Sequence, residues 1–184
     1  MRHRLSGSVR RPGAALSIGL ALAGGAVASG AEAQVRLVEA GIVCPREPSG
    51  ALVEAPGTEA GVLRQVEEGL AFDVLSRTVP MIDDLAFGVR VELKAGTPPL
   101  SAVVVVTHPP MGPRGVTREE WPDALLPGGQ SVNLFTFEQD YEKVPGRWTF
   151  GLEVEGEPVV TVAFDVLADG GQGPVEQVCF TFLS

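Results

Sequence analysis

The sequence predicts an all-β protein, an antiparallel sandwich of about seven to nine strands with little helix, and three observations point to it. The first is alternation: Phe87, Val89, Val91 and Leu93 are separated by Gly88, Arg90 and Glu92, and Trp148, Phe150, Leu152 and Val154 by Thr149, Gly151 and Glu153. A period of two gives a strand one dry and one wet face. The second is punctuation, since proline and glycine interrupt the apolar runs at intervals of roughly 8–12 residues, as in sandwiches built of short strands. The third is how little of the chain follows a helical period.

The elements follow in order. Residues 35–43, 70–79, 132–138 and 175–183 are strand candidates, and residues 102–106 form a continuous branched run bounded by Pro98-Pro99 and Pro109-Pro110, as in a strand covered on both faces. After Val154, Gly156 supplies a turn and Val160, Val162, Phe164 and Val166 resume the alternation, so residues 147–166 predict a tight hairpin. Residues 59–68 predict one or two amphipathic helical turns with Val62, Leu63 and Val66 inward, a pattern that Gly61 and Gly69 weaken. The stretch from Asp169 to Pro174 reads as a flexible connection into the last strand.

Residues 1–33 read as an export signal: Arg2, Arg4, Arg10 and Arg11 precede an Ala/Gly/Leu-rich run over residues 14–28, and Ala31-Glu32-Ala33 offers small residues at a cleavage site. That run falls short of the roughly 20 residues that span a bilayer. The expected mature chain is a single domain over residues 34–184, without a membrane span, periplasmic or secreted. Its charge is more negative than the full chain's −9, because the signal removes four basic side chains and one acidic one, leaving −12. An acidic surface repels phosphate backbones and anionic lipid, which excludes nucleic acid as a partner class and leaves basic partners or divalent cations as permitted ones.

Cys44 and Cys179 stand near the two ends of the mature chain and predict one disulfide pinning the first strand to the last. Zinc ligation would need further Cys or His, and His108 is the only histidine beyond the signal; neither thiol lies in a Cys-x-x-Cys or beside a base. No cofactor or metal is expected. Asp83-Asp84, Asp140 with Glu142, and Glu153/Glu155/Glu157 lack the loop pattern of a calcium site, and the last three suit the wet face of a strand and its turn.

The segment most open to function is the long connection over residues 107–130, read as an ordered loop. Two readings of Trp121 stand there: a packed indole, supported by Thr117-x-x-Glu120 as a capping box, or an exposed platform with His108 and Arg118 for a sugar ring, peptide or partner. No Gly-x-Ser-x-Gly and no His-Glu-x-x-His occurs, and His108 followed by two prolines has no catalytic partner in the sequence, so no catalytic residue is assigned.

Thr107-His108-Pro109-Pro110, Glu120-Trp121-Pro122 and Pro145-Gly146-Arg147-Trp148-Thr149-Phe150 together resemble an uncharacterised family of exported bacterial domains of unknown function, over roughly residues 37–166. The resemblance implies an immunoglobulin-like sandwich, with Trp148 anchoring the core, and no known activity. The expectation is therefore a non-enzymatic module that binds an envelope protein or has a structural role in the envelope. The alternative is a small-ligand or carbohydrate binder using His108, Arg118 and Trp121.

Overall fold

The computed structural model describes residues 34–67, 69–168 and 173–180; the expected signal lies outside them. Three strands, β1 (Val35–Val43), β5 (Ala86–Leu93) and β8 (Gln130–Thr136), form one antiparallel sheet in the order β1-β5-β8. The facing sheet runs β4-β10-β9-β6-β7 and is built from β4 (Thr78–Pro80), β6 (Leu100–Met111), β7 (Val116–Leu125), β9 (Gly146–Val154) and β10 (Glu157–Leu167). Its pairs are antiparallel except β4 with β10. A separate hairpin joins β2 (Leu52–Glu54) to β3 (Val62–Arg64). The connectivity is that of an immunoglobulin-like sandwich, with β1, β5 and β8 in one layer and β10, β9, β6 and β7 in the other.

The alternation read from the sequence becomes the interface between the layers. Phe87 and Val91 of β5 face Trp148, Phe150 and Leu152 of β9 and Phe164 of β10, all almost wholly buried. The Phe87 ring meets the rings of Phe135, Phe137, Trp148, Phe150 and Phe164 at centroid distances of 5.2–6.0 Å, mostly edge-on. The Trp148 indole N–H donates to the Val144 carbonyl at 2.9 Å, so burying the ring strands no donor. The predicted hairpin over residues 147–166 is β9 with β10, turning through Glu155 (φ 54°) and Gly156 (φ 83°). Two successive left-handed residues are what a two-residue turn matched to strand twist requires.

Several expectations are corrected. Residues 107–130 are not a loop: β6 runs on to Met111, turns at residues 112–115, and β7 returns beside it. Pro109 and Pro110 fall where the β6–β7 ladder is interrupted, between the Thr107↔Arg118 and Met111↔Val116 pairs, and Pro122 lies on an edge strand, so none of them costs the sheet a hydrogen bond it needs. Thr117-x-x-Glu120 is accordingly strand, not a helix cap. Residues 59–68 hold the end of the β2–β3 loop and β3 instead of helical turns; the Thr58 hydroxyl, donating to the Ala55 carbonyl and accepting from the Gly61 N–H, closes that loop. Residues 70–79 contribute only a Val74–Ile42 bridge and the start of β4.

The last predicted strand is helix α1 (Pro174–Phe180) over its described part. Pro174 suits a first helical position, and Val175, Val178 and Cys179 have the spacing of a helical stripe as well as a partial strand alternation. The Cys44–Cys179 disulfide, with a Cα–Cα distance of 5.4 Å, therefore ties the end of β1 to this helix and not to a strand. No helix among the described residues is long and apolar enough to cross a membrane.

Candidate binding cleft beneath the β2–β3 hairpin

The three residues that the sequence singled out do not share a surface. Trp121, one of the core-facing residues of β7, is buried, and its indole N–H donates to Asn133 Oδ1 at 3.0 Å. Asn133 in turn donates to Asp123 Oδ2 at 2.9 Å, a polar seam joining β7 to β8 where the two sheets meet. Arg118 occupies the opposite face of β7, exposed and paired with Glu120 at 3.0 Å and Glu153 at 3.5 Å. His108 points inward from β6, its ring 4.6 Å from that of Trp148. Its Nδ1 lies 2.9 Å from the Pro109 carbonyl, which can only accept, so Nδ1 carries a proton. Its buried Nε2 has no hydrogen-bond partner among the described residues.

Two concavities among the described residues lie elsewhere. The β2–β3 hairpin stands over the β8 side of the smaller sheet and leaves a cavity of about 170 Å³, walled by Leu52, Val62 and Leu63 of the hairpin, Leu134 of β8 and Trp121 of β7. A second, larger recess of about 860 Å³ shares residues 63–67, Trp121 and Leu134 with it as lining. The hairpin rests on little apolar packing: Leu63 packs against the core and Ala55 is buried, but Leu52 is 57% exposed, Val62 41% and Val53 38%.

Polar ties hold it. The Glu59 N–H donates to Glu119 Oε1 at 2.5 Å and the Glu120 N–H to the Gly57 carbonyl at 3.0 Å. Arg114 pairs with Glu59 at 2.7 Å, and Arg64 with Glu138 at 3.2 Å. Gly57 is glycine for a reason, since a Cβ there would come within 2.4 Å of the Glu120 carbonyl oxygen.

Two carboxylates at the deep end of the cavity were not selected from the sequence. Glu119 is 3% exposed and Glu142 7%, and both line it. Burial raises the Glu119 carboxyl above its usual range, partly offset by the Glu59 N–H and by His108. Burial also pushes Glu142 up to about 7, against the N–H groups of Gln139 and Glu138, which both donate to its Oε2 at 2.7 Å; the neighbouring Glu138 and Glu119 charges add to the rise. The tyrosine beside it, Tyr141, is raised by burial and by the charges of Glu142, Glu59 and Glu119. Glu119 had a legible signal: two residues before Trp121 on a strand, it shares the inward face. Glu142 had a weaker one, the Gln139-x-x-Glu142 spacing of a reciprocal cap, which the turn at Asp140–Glu142 forms. Among the described residues no three His, Cys, Asp or Glu side chains converge to hold a metal ion.

The DUF3859 pattern, a domain of unknown function, matches residues 31–166 and so takes in both sheets and the cleft. The chain belongs to this family. No curated protein matches it. Among solved structures it is similar to an immunoglobulin-like protein from Pseudomonas aeruginosa, 20% identical over 75% of this chain and all of that one, with a TM-score of 0.45. It is also similar to parts of two larger enzymes: a β-glucosidase from Listeria innocua (16% identity, 51% of this chain and 15% of that one, TM-score 0.32) and a β-D-glucoside glucohydrolase from Trichoderma reesei (12%, 73% and 19%, TM-score 0.33). The family itself carries no assigned activity, so the cleft has to be read on its own chemistry.

Proposed function

We propose that this family member is an exported, non-enzymatic binding module of the cell envelope, and that it engages a partner protein through the β2–β3 hairpin and the cleft below it. The observation that carries this reading is the hairpin itself. It holds three large apolar side chains, Leu52, Val53 and Val62, in water above a cavity with apolar walls, and it is kept there by polar ties to β7. Apolar surface clustered beside a preformed recess is what a recognition surface supplies and what packing would otherwise remove. The signal-like first 33 residues and the Cys44–Cys179 disulfide support an oxidising compartment outside the cytoplasm.

Site-specific photo-crosslinking in cells producing the full chain tests it. A crosslinker at Leu52 or Val62 should give one discrete adduct in the envelope fraction, while the same group at Arg36, on the outer face of the smaller sheet, should give none. Equal labelling from all three positions, or from none, would overturn the reading, and so would recovery of the chain from the cytoplasm with residues 1–33 still attached.

A further inference from the structure

The tip of the β2–β3 hairpin is fastened over two carboxylates that its closure takes out of water. Three polar ties join it to β7 and the turn before it: the Glu59 N–H donates to Glu119 Oε1 at 2.5 Å, the Glu120 N–H to the Gly57 carbonyl at 3.0 Å, and Arg114 pairs with Glu59 at 2.7 Å. Just below, Thr58 and Ala60 share the wall of the 170 Å³ cavity with Glu119 and Glu142, which are 3% and 7% exposed. Neither carboxylate forms an ion pair among the described residues, because the cations on this side are engaged elsewhere: Arg114 with Glu59, Arg46 with Asp73, Arg64 with Glu138, and Lys143 with Asp83 and Asp140. A buried carboxyl without a counter-charge costs more ionised than neutral, and here part of the burial is supplied by a segment held through few contacts. The hairpin's own bonds, Ala55 N–H to the Gly61 carbonyl and Gln65 N–H to the Ala51 carbonyl, both 2.9 Å, lie within it and survive if the tip lifts.

We propose that the β2–β3 hairpin is a proton-linked lid, closed over Glu119 and Glu142 while they carry protons and lifted off β7 at its tip as they ionise. Protonation does not undo the latch. A neutral carboxyl keeps a carbonyl oxygen, so Glu119 still accepts from the Glu59 N–H, and what the proton removes is the buried charge. Ionisation restores that charge, and lifting the tip gives it water. The direction follows from linkage: the closed form holds these protons more tightly than the open form, so raising the pH opens the lid and opening releases protons. The closed form agrees, since burial raises both carboxyls, Glu142 to about 7. An open lid uncovers Trp121 and Leu134 on the cavity wall, which adds a control to the binding role proposed above. The lid itself rests on the geometry of the hairpin and stands or falls separately from the crosslinking of a partner.

The groups that face the two carboxyls set the sign. Around Glu119, the Glu59 charge from the hairpin loop opposes ionisation, while the Glu59 N–H, His108 of β6 and Arg114 of the β6–β7 turn favour it. Around Glu142, the charges of Glu138 and Glu119 oppose ionisation and the N–H groups of Gln139 and Glu138 favour it. Tyr141 lies beside it, and Lys143, the next residue, is turned to Asp83 and Asp140. At both carboxyls burial outweighs the groups that favour the charge.

The test is amide hydrogen exchange on the full, disulfide-intact chain between pH 5 and pH 8, corrected for the intrinsic rate at each pH. The Glu59 and Glu120 amides bridge lid and body, the Ala55 amide lies within the lid, and those of Phe150 and Phe164 report global opening. Glu59 and Glu120 should open far more often than Ala55, Phe150 or Phe164 at either pH, and their opening constants should rise by about tenfold or more from pH 5 to pH 8. Glu119→Gln with Glu142→Gln imitates the protonated pair and keeps an acceptor for the Glu59 N–H. It should hold the lid at pH 8 as tightly as the wild type does at pH 5, an outcome that loss of a merely structural contact would not give. The wild-type profile alone can overturn the lid: opening constants at Glu59 and Glu120 that match those at Phe150 and Phe164 would mean that the hairpin opens only with the whole fold, and constants that stay level or fall as pH rises would remove the proton linkage. A folded double variant that keeps the wild-type pH response would overturn the assignment to Glu119 and Glu142.

Discussion

The β9–β10 and β2–β3 hairpins are both antiparallel pairs, yet they are held in place by different physics. The first buries Trp148, Phe150, Leu152, Val162, Phe164 and Val166 between the sheets. The second pairs only three residues on each side, packs little more than Leu63 against the core, exposes Leu52, Val53 and Val62, and depends largely on Glu119, Arg114 and the Glu120 N–H for its position. A hairpin held by apolar burial is as stable as the core it belongs to, whereas one held by polar ties can open on its own, at a cost well below global unfolding. Selection for stability alone would have brought those apolar side chains inward. Their exposure is why function is sought at this hairpin.

The contrast can be broken at several points. The largest effect should come from the disulfide, the covalent link on the cleft side of the molecule: Cys44 lines the cavity and is bound to Cys179 across a sequence separation of 135. Closing a loop of that length stabilises by up to about 5 kcal/mol in the chain-entropy model. Dithiothreitol should therefore lower the melting temperature markedly, and an unchanged melting curve would show that the bridge adds little. Next comes Trp148→Ala, which removes the largest side chain from the aromatic cluster around Phe87 and should cost about 3–5 kcal/mol in chemical denaturation. A cost below 1 kcal/mol would mean that the β9–β10 side is not held by packing after all.

A third effect separates the two regions by pH. Glu142 is pushed up to about 7 from an ordinary value of 4.5, so the folded state holds this proton more tightly than the unfolded chain does. Its contribution is therefore most favourable below pH 4.5, falls as pH rises through the window from about 4.5 to 7, and is flat above; the full swing is about 3 kcal/mol. Wild type minus Glu142→Gln, measured by urea denaturation at pH 5 and pH 8, should show this loss. A difference that grows with pH in favour of wild type would reverse the assignment.

What the sequence made legible follows the same division. The β9–β10 hairpin, β5 and the burial of Trp148 are written in a period of two, because a strand that faces a core on one side must alternate. The β2–β3 hairpin has no such period: three-residue strands that bury little are governed by turn chemistry at Thr58 and by contacts with β7, neither visible in local pattern. The β6–β7 hairpin was hidden by its prolines, which mark loops in isolation and are tolerated here at a ladder break and on an edge. Glu119 and Glu142 meet across sequence, one from β7 and one from the turn at Asp140–Glu142, so only the folded chain shows them at one cavity.

The smallest effect would sharpen the comparison most. Arg114 is exposed but the Glu59 side chain it pairs with is only 4% accessible, so the pair should be worth about 1–2 kcal/mol, more than a pair exposed on both sides. Arg114 also donates to the carbonyls of Thr58 and Glu59 at 3.2 Å, so one side chain holds the loop of the β2–β3 hairpin from three sides. Arg114→Ala should lower the global melting temperature only slightly, since no apolar core contact is lost and the stranded Glu59 carboxylate lies in the loop of the hairpin. It should nevertheless speed hydrogen exchange at the Glu59 and Gly61 amides, which rely on that loop staying in place, and leave the amides of Phe150 and Phe164 as slow as before. Exchange that accelerates equally in both hairpins would mean that they open together, and the β2–β3 hairpin would then be part of the core's cooperative unit, not a separate element held over a cleft.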